Sequence, residues 1–189
     1  MRKIDEIIFF GKLIEKYHLI SSHGGNISIR LNDNILITRT GSMLGNLTPK
    51  DIVVVSLKNE NDNNIKKASM ELVVHKAIYE SSNANVVMHT HPEYTILLSL
   101  FNEEIIPVDS EGKFSIKKIP VIEAENTIAS LEVAKKIKNY TNIFNAVVVR
   151  YHGLFVWSDS LEKAFYLTTS IEKSAKILYL QNQWIRKKN

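Results

Sequence analysis

The chain contains no cysteine, and that absence removes disulfides, thiolate metal sites and a cysteine nucleophile together. Any metal must be held by nitrogen and oxygen. Long apolar runs are missing too: the most apolar stretches, such as residues 143–149, fall far short of the ~20 residues that span a bilayer, so no membrane partner is expected. Asp5 and Glu6 interrupt the stretch where a secretory signal carries an unbroken apolar core, which makes the cytoplasm the expected compartment. No Pro/Gly-rich linker, internal repeat or low-complexity tract divides the sequence. One domain over residues 1–189 is therefore expected, long enough to bury a sizeable core.

What is present is ordinary in bulk. Apolar residues make up 44% and charged residues 23%, a globular composition. The net charge of +4 weakly suits an anionic ligand. Basic residues cluster only at Lys66-Lys67, Lys117-Lys118 and Arg186-Lys187-Lys188, so nucleic acid is not an expected partner.

Periodicity gives the element order. Ile4, Ile7, Ile8 and Ile14 share one face of a helix over 4–17, and the loop Ser21-Ser22-His23-Gly24-Gly25-Asn26 ends it. Ile27, Ile29 and Leu31 alternate with polar residues, and Asn32-Asp33-Asn34 turns the chain into Ile35-Leu36-Ile37, which reads as a hairpin. A strand over 51–57, a helix over 69–81 and a strand over 85–89 follow. Pro92 fits the first turn of the next helix. Two extended stretches, 105–108 and 117–122, flank Ser110-Glu111-Gly112. A helix near 127–138, a hairpin of 146–150 with 154–157, and a long helix capped by Ser160 and running to about Trp184 complete the chain. Hairpins recur among the strands, so the expected fold class is α/β, three layers α/β/α on a largely antiparallel central sheet.

The chemistry starts at His89-Thr90-His91. A strand's period of two sends both imidazoles to one face, where they can converge on one metal. Alone, the pair is equally read as two ordinary histidines. His152 adds a third imidazole, at the end of the apolar strand 146–149 and before Gly153, which permits a tight turn. His18, His23 and His75 are weaker candidates, at a helix end, in a loop and on the apolar face of a helix. Glu71, in the first turn of a helix beside Ser69, is either an acid/base group or a solvated capping residue. Gly24-Gly25-Asn26 and Thr38-Arg39-Thr40-Gly41-Ser42 offer backbone N–H groups and hydroxyls of the kind that cradle a phosphate, yet also suit plain turns.

Taken in order, Gly-Gly-Asn-Ile-Ser at 24–28, Ile-Thr-Arg-Thr-Gly at 37–41, Ser69 with Glu71, His-Thr-His-Pro at 89–92 and His-Gly-Leu at 152–154 resemble the class II aldolase/adducin-like family. The resemblance runs from the first helix to about Leu180 and is strongest to its short fuculose-1-phosphate-aldolase-like members. It implies a homotetramer with active sites at subunit interfaces. It also implies Zn2+, or another divalent metal such as Mn2+, Co2+ or Fe2+, on His89, His91 and His152. Glu71 becomes the acid/base and an occasional metal ligand, and Gly25, Asn26, Thr40, Gly41 and Ser69 hold the phosphate of a small sugar phosphate.

The implied reaction cleaves a deoxy-ketose 1-phosphate, such as L-fuculose 1-phosphate, to dihydroxyacetone phosphate and an aldehyde through a metal-stabilised enediolate. Glutamate rather than aspartate at 71 favours the aldolases of the family over its epimerases. Two departures stand out. Met70 replaces the pocket's second serine, and no tyrosine lies near Asp109-Ser110-Glu111, where some aldolases carry a proton donor. Tyr94, Tyr151 and Tyr179 are candidates for that role, or packing aromatics. The alternatives are a sibling reaction of the fold (methylthioribulose-1-phosphate dehydratase, decarboxylase or epimerase) or a non-catalytic adducin-like module, against which the intact histidine triad argues.

Overall fold

A computed structural model describes residues 2–188; Met1 and Asn189, the two ends of the expected domain, lie outside the described residues. Eight strands form one mixed sheet: β1 (Asn26–Leu31), β2 (Asn34–Thr38), β3 (Ile52–Ser56), β4 (Val86–Thr90), β5 (Glu104–Ile105), β6 (Ile119–Ile122), β7 (Ala146–Val149) and β8 (Gly153–Ser158). Their spatial order is β3-β2-β1-β4-β8-β7-β6-β5. Only β6 and β7 pair in parallel among the described residues, so the sheet is mostly antiparallel, as expected. Six α-helices accompany it: α1 (Lys3–Lys16), α2 (Leu72–Ser81), α3 (Glu93–Ser99), α4 (Ser110–Ser115), α5 (Leu131–Ile137) and α6 (Leu161–Arg186). Among the described residues no helix is long and apolar enough to cross a membrane.

The strands are runs of β-branched residues such as Ile52-Val53-Val54-Val55 and Val147-Val148-Val149, whose branched Cβ suits a pleated surface. Their period of two divides the core. Val86 and Met88 of β4 and Leu154 and Val156 of β8 enter one apolar cluster with Ile7 and Ile14 of α1 and Ala164 and Ile171 of α6. Val87, Phe155 and Trp157 enter a second with Val74 and Ile78 of α2 and Val133 and Ile137 of α5. Each buried aliphatic side chain contributes roughly 1.5–3 kcal/mol relative to exposure, so a one-residue register slip would exchange the two faces at large cost.

Helix ends follow the chemistry of free backbone amides. Ser160 accepts the Lys163 N–H at the start of α6, as its position predicts. Two expectations are corrected. The stretch between β5 and β6 holds α4, hidden in sequence by Gly112 and two serines of low helix propensity; it is started by Asp109, whose carboxylate accepts the Gly112 N–H at 2.9 Å. The helix expected from 127 begins only at Leu131, because Ser130 caps it and Ala129 adopts φ 51°. Ser28 of the first hairpin is wholly buried, bonded to side chains of α2.

The sheet brings three chain segments to one edge. Asn26 pairs with His89, and His89 and Thr90 pair with Phe155 and Leu154. The start of β1, the end of β4 and the start of β8 therefore lie side by side, although they come from opposite halves of the sequence.

Candidate metal centre

At that edge the three histidines meet. His91 Nε2 lies 3.0 Å from His89 Nε2, which lies 3.3 Å from His152 Nε2, and the three donor atoms fall within 4.8 Å of one another. Nitrogens held at about 2.0–2.1 Å from one tetrahedral cation stand roughly 3.3 Å apart, so the spacing fits a shared ion. The ring of His89 stacks on Phe155 at 4.0 Å and 15°, and its Nδ1 lies 3.1 Å from the Leu154 carbonyl. A carbonyl only accepts, so Nδ1 carries the proton and Nε2 presents its lone pair to the cluster.

Burial holds the rings neutral. It pushes His89 well below the usual imidazole range, with the neighbouring histidines adding to the effect. Burial, then His152, lowers His91 to about 4, and burial lowers His152 against an opposing backbone contact from Thr127. Neutral imidazoles with converging lone pairs are what a divalent cation requires.

Glycine shapes this wall. A Cβ on Gly153 would stand 2.5 Å from the Thr90 carbonyl oxygen, 2.7 Å from His91 Cδ2 and 2.9 Å from His89 Cε1. Close approach of β8 to the rings, rather than a turn, therefore requires Gly153. The left-handed backbone sits two residues earlier, at Tyr151 (φ 64°).

Glu71 is not in the first turn of α2. It is the residue before that helix, and its side chain makes no cap bond; it is 4% exposed. Its Oε1 accepts the Ala129 N–H at 2.9 Å and lies 3.6 Å from His152 Nε2, while Oε2 is buried without a partner. The solvated-cap reading is thereby excluded. Burial raises this carboxyl to about 7, with the Ala129 bond opposing. A sealed carboxyl oxygen with no donor, beside three convergent imidazoles, is a group waiting for a ligand or proton.

One cleft of about 200 Å³ is lined by His89, His91, His152 and Glu71 together with Gly25, Asn26, Thr40, Gly41 and Ser69, whereas His18 and His75 do not line it. Gly25 (φ 74°) passes so close to β4 that a Cβ would meet the His89 carbonyl at 2.8 Å. Gly41 (φ 72°) has open space around it and needs glycine for its backbone alone. The Ser69 hydroxyl accepts the Glu71 N–H at 3.3 Å.

The cleft also holds Arg39 and Ser42 of the second candidate loop, His23, a weaker candidate by its loop position, and Ile128, which was not singled out by sequence. Arg39 lies 3.4 Å from Asp51, a contact invisible in the motif. Met70, 66% exposed, stands at the rim. None of the three tyrosines lines the cleft. Tyr94 and Tyr179 pack together at 5.6 Å, as the packing reading expects, but Tyr151 is exposed and does not follow it.

Residues 5–179 match the family described as Class II Aldolase and Adducin N-terminal domain. An L-fuculose phosphate aldolase of Methanococcus maripaludis is 31% identical over 181 residues, covering 95% of this chain and 97% of that protein. The L-fuculose phosphate aldolase of Escherichia coli is 32% identical over 161 residues, covering 82% and 72%. The crystal structure of L-fuculose-1-phosphate aldolase from Thermus thermophilus superposes with a TM-score of 0.90 at 30% identity, covering 96% of this chain and 94% of the other.

Proposed function

We propose, from the premise that the chain belongs to the class II aldolase and adducin family, that it is a divalent-metal-dependent aldehyde-lyase acting on a deoxy-ketose 1-phosphate such as L-fuculose 1-phosphate. The products are dihydroxyacetone phosphate and an aldehyde. One observation carries this reading: the Nε2 atoms of three buried or half-buried imidazoles converge beside a buried, half-satisfied carboxyl, in a cleft also lined by glycine, hydroxyl and amide groups. We read residues 1–189 as one domain in three α/β/α layers, which the division of the sheet between two apolar clusters supports. Exposed Phe101, Phe114 and Trp184 are compatible with a homotetramer whose cleft opens at a subunit interface.

His89, His91 and His152 would hold the cation: zinc by the all-imidazole donor set, or Mn2+, Co2+ or Fe2+. When bound, it supplies Lewis-acid stabilisation of negative charge on the ketose oxygens. Gly25, Asn26, Thr40, Gly41 and Ser69 bind the phosphate end and fix the substrate carbons relative to Glu71. The Glu71 carboxyl, whose Oε1 lies 3.6 Å from His152 Nε2, takes or returns the proton at carbon. In the metal-free protein burial raises this carboxyl to about 7, and a bound cation beside it would favour the carboxylate. Ala129 holds Oε1, so the carboxyl cannot rotate away.

Dihydroxyacetone phosphate release from L-fuculose 1-phosphate, followed by a coupled reductase, tests the assignment. Glu71→Gln should keep its metal and fold while turnover falls by about 10²–10⁴-fold. A parent enzyme that consumes the ketose phosphate without releasing dihydroxyacetone phosphate would sink the aldolase reading. Exposed Met70 at the rim and the absence of a cleft tyrosine among the described residues favour the second reading, a dehydratase, decarboxylase or epimerase reaction of the same fold.

A further inference from the structure

Behind the cleft lies a line of polar side chains in the apolar interior between β1 and α2. His75 is wholly buried, as are Ser28 and, nearly so, Tyr79. The His75 ring bonds on both sides: Nε2 lies 2.6 Å from Asn26 Oδ1, and Nδ1 lies 2.7 Å from Ser28 Oγ. Ser28 Oγ in turn lies 2.8 Å from the Tyr79 hydroxyl, and the guanidinium of Arg30 covers the Tyr79 ring at 4.8 Å. Four polar groups thus run inward from Asn26, the one member that lines the cleft.

The line has a direction. Burial keeps His75 neutral, so its ring carries one proton. Asn26 Oδ1 can only accept, which puts that proton on Nε2 and leaves Nδ1 to accept from the Ser28 hydroxyl. Ser28 Oγ, having donated, accepts from the Tyr79 phenol. Among the described residues no hydrogen bond ends on Asn26 Nδ2, and that atom is not one of the sealed polar atoms left without partners. Nδ2 is therefore not sealed in the interior, and Asn26 lines the cleft. The reverse order would show the cleft a carbonyl oxygen, which repels an anion.

We infer that His75, backed by Ser28 and Tyr79, is a positioning residue that fixes the carboxamide of Asn26 so that Nδ2, and not Oδ1, faces the cleft and donates to an anionic ligand. The inference deepens the phosphate-pocket reading and rests on it. His75 touches no substrate itself; it sets the polarity of the group that does. Without the line, the two faces of the amide differ little in energy, and half of the encounters with a phosphate would meet the wrong end.

The test uses metal-loaded full-length protein and inorganic phosphate as the probe, with affinity read by calorimetry. Ser28→Ala should weaken phosphate by about twofold, the loss expected when half of the amides face the wrong way, and Asn26→Ala by about tenfold, with metal content unchanged. The double variant should lose no more than Asn26→Ala alone, because Ser28 acts only through Asn26. Losses that multiply, or a Ser28→Ala protein that binds phosphate like the parent, would overturn the inference. If Ser28→Ala does not fold, Tyr79→Phe removes only the far donor and enters the same cycle. Nitrogen-15 spectra of His75 supply a readout independent of any ligand: the Nε2–H tautomer is expected, and the Nδ1–H tautomer overturns the inference whatever phosphate does. A parent that binds no phosphate yet shows Nε2–H would refute the phosphate pocket while upholding the orientation of Asn26.

Discussion

The two walls of the cleft are built differently. The histidine wall stands on β4 and the start of β8, where His89 is 1% exposed, stacked on Phe155 and bonded to Leu154, and where Gly153 admits no side chain. Another part of the lining is loop: Thr40, Gly41 and Ser42 sit after β2, Met70 before α2, all of them accessible. Metal chemistry needs donors held to within a few tenths of an ångström, which only paired strands and packed rings supply. Substrate recognition tolerates, and draws variety from, segments free of the core. Changes on the strand wall should therefore cost chemistry, and changes on the loop wall should cost only affinity.

The largest expected effect is loss of the cation. His152→Ala removes one of three donors, roughly a third of a binding free energy on the order of 10 kcal/mol, so metal affinity should fall by more than about a hundredfold in competition with a chelator. A variant that kept parental metal content would break the comparison at its strongest point.

Next comes a pH-dependent stability change at Glu71. The unfolded carboxyl ionises near 4.5, while the folded one keeps its proton to about 7, so between those values the native state binds more protons and stability falls as pH rises. Metal-stripped Glu71→Gln lacks that penalty. Urea unfolding should find variant and parent alike below about pH 4.5 and the variant ahead by up to about 3 kcal/mol near pH 8. A gap that stays constant across pH would mean that the burial of Glu71 is relieved in solution.

Gly153→Ala should cost about 10–100-fold in metal affinity by forcing β8 away from His89 and His91, with the helix content in circular dichroism unchanged. On the loop wall the expected effects are smaller. Met70→Ser trades an exposed thioether for a hydroxyl at the rim, and KM for the sugar phosphate should drop by about two- to fivefold at constant kcat. A kcat change there would show that the rim reaches the reacting atoms.

Much of the strand wall could be read in advance. His89 and His91 share a face because strands repeat every two residues, and the run from Ala146 to Val149 announced the strand that carries His152 to its end. The surroundings of Glu71 could not be read. Its partner Ala129 belongs to a loop 58 positions away, mistaken in sequence for the start of α5. His75 is a similar case: its burial follows from helical spacing, but its bonds to Asn26 and Ser28 exist only because β1 packs against α2. Helix α4 escaped notice because Ser110-Glu111-Gly112 is turn chemistry until Asp109 caps it and α6 packs over it.

By itself the sequence determined the alternation of elements, the donor types and the order in which the motifs arrive, because these depend on side-chain chemistry and on periods of 2 and 3.6 along one chain. Tertiary structure alone decided that the donor atoms of three histidines lie within 4.8 Å of one another, that one oxygen of Glu71 is held and the other left without a partner, and that Asn26 meets the buried His75. Each of these depends on which strands become neighbours and how closely their backbones approach, and no local pattern encodes the distance between residues brought together from opposite halves of the chain.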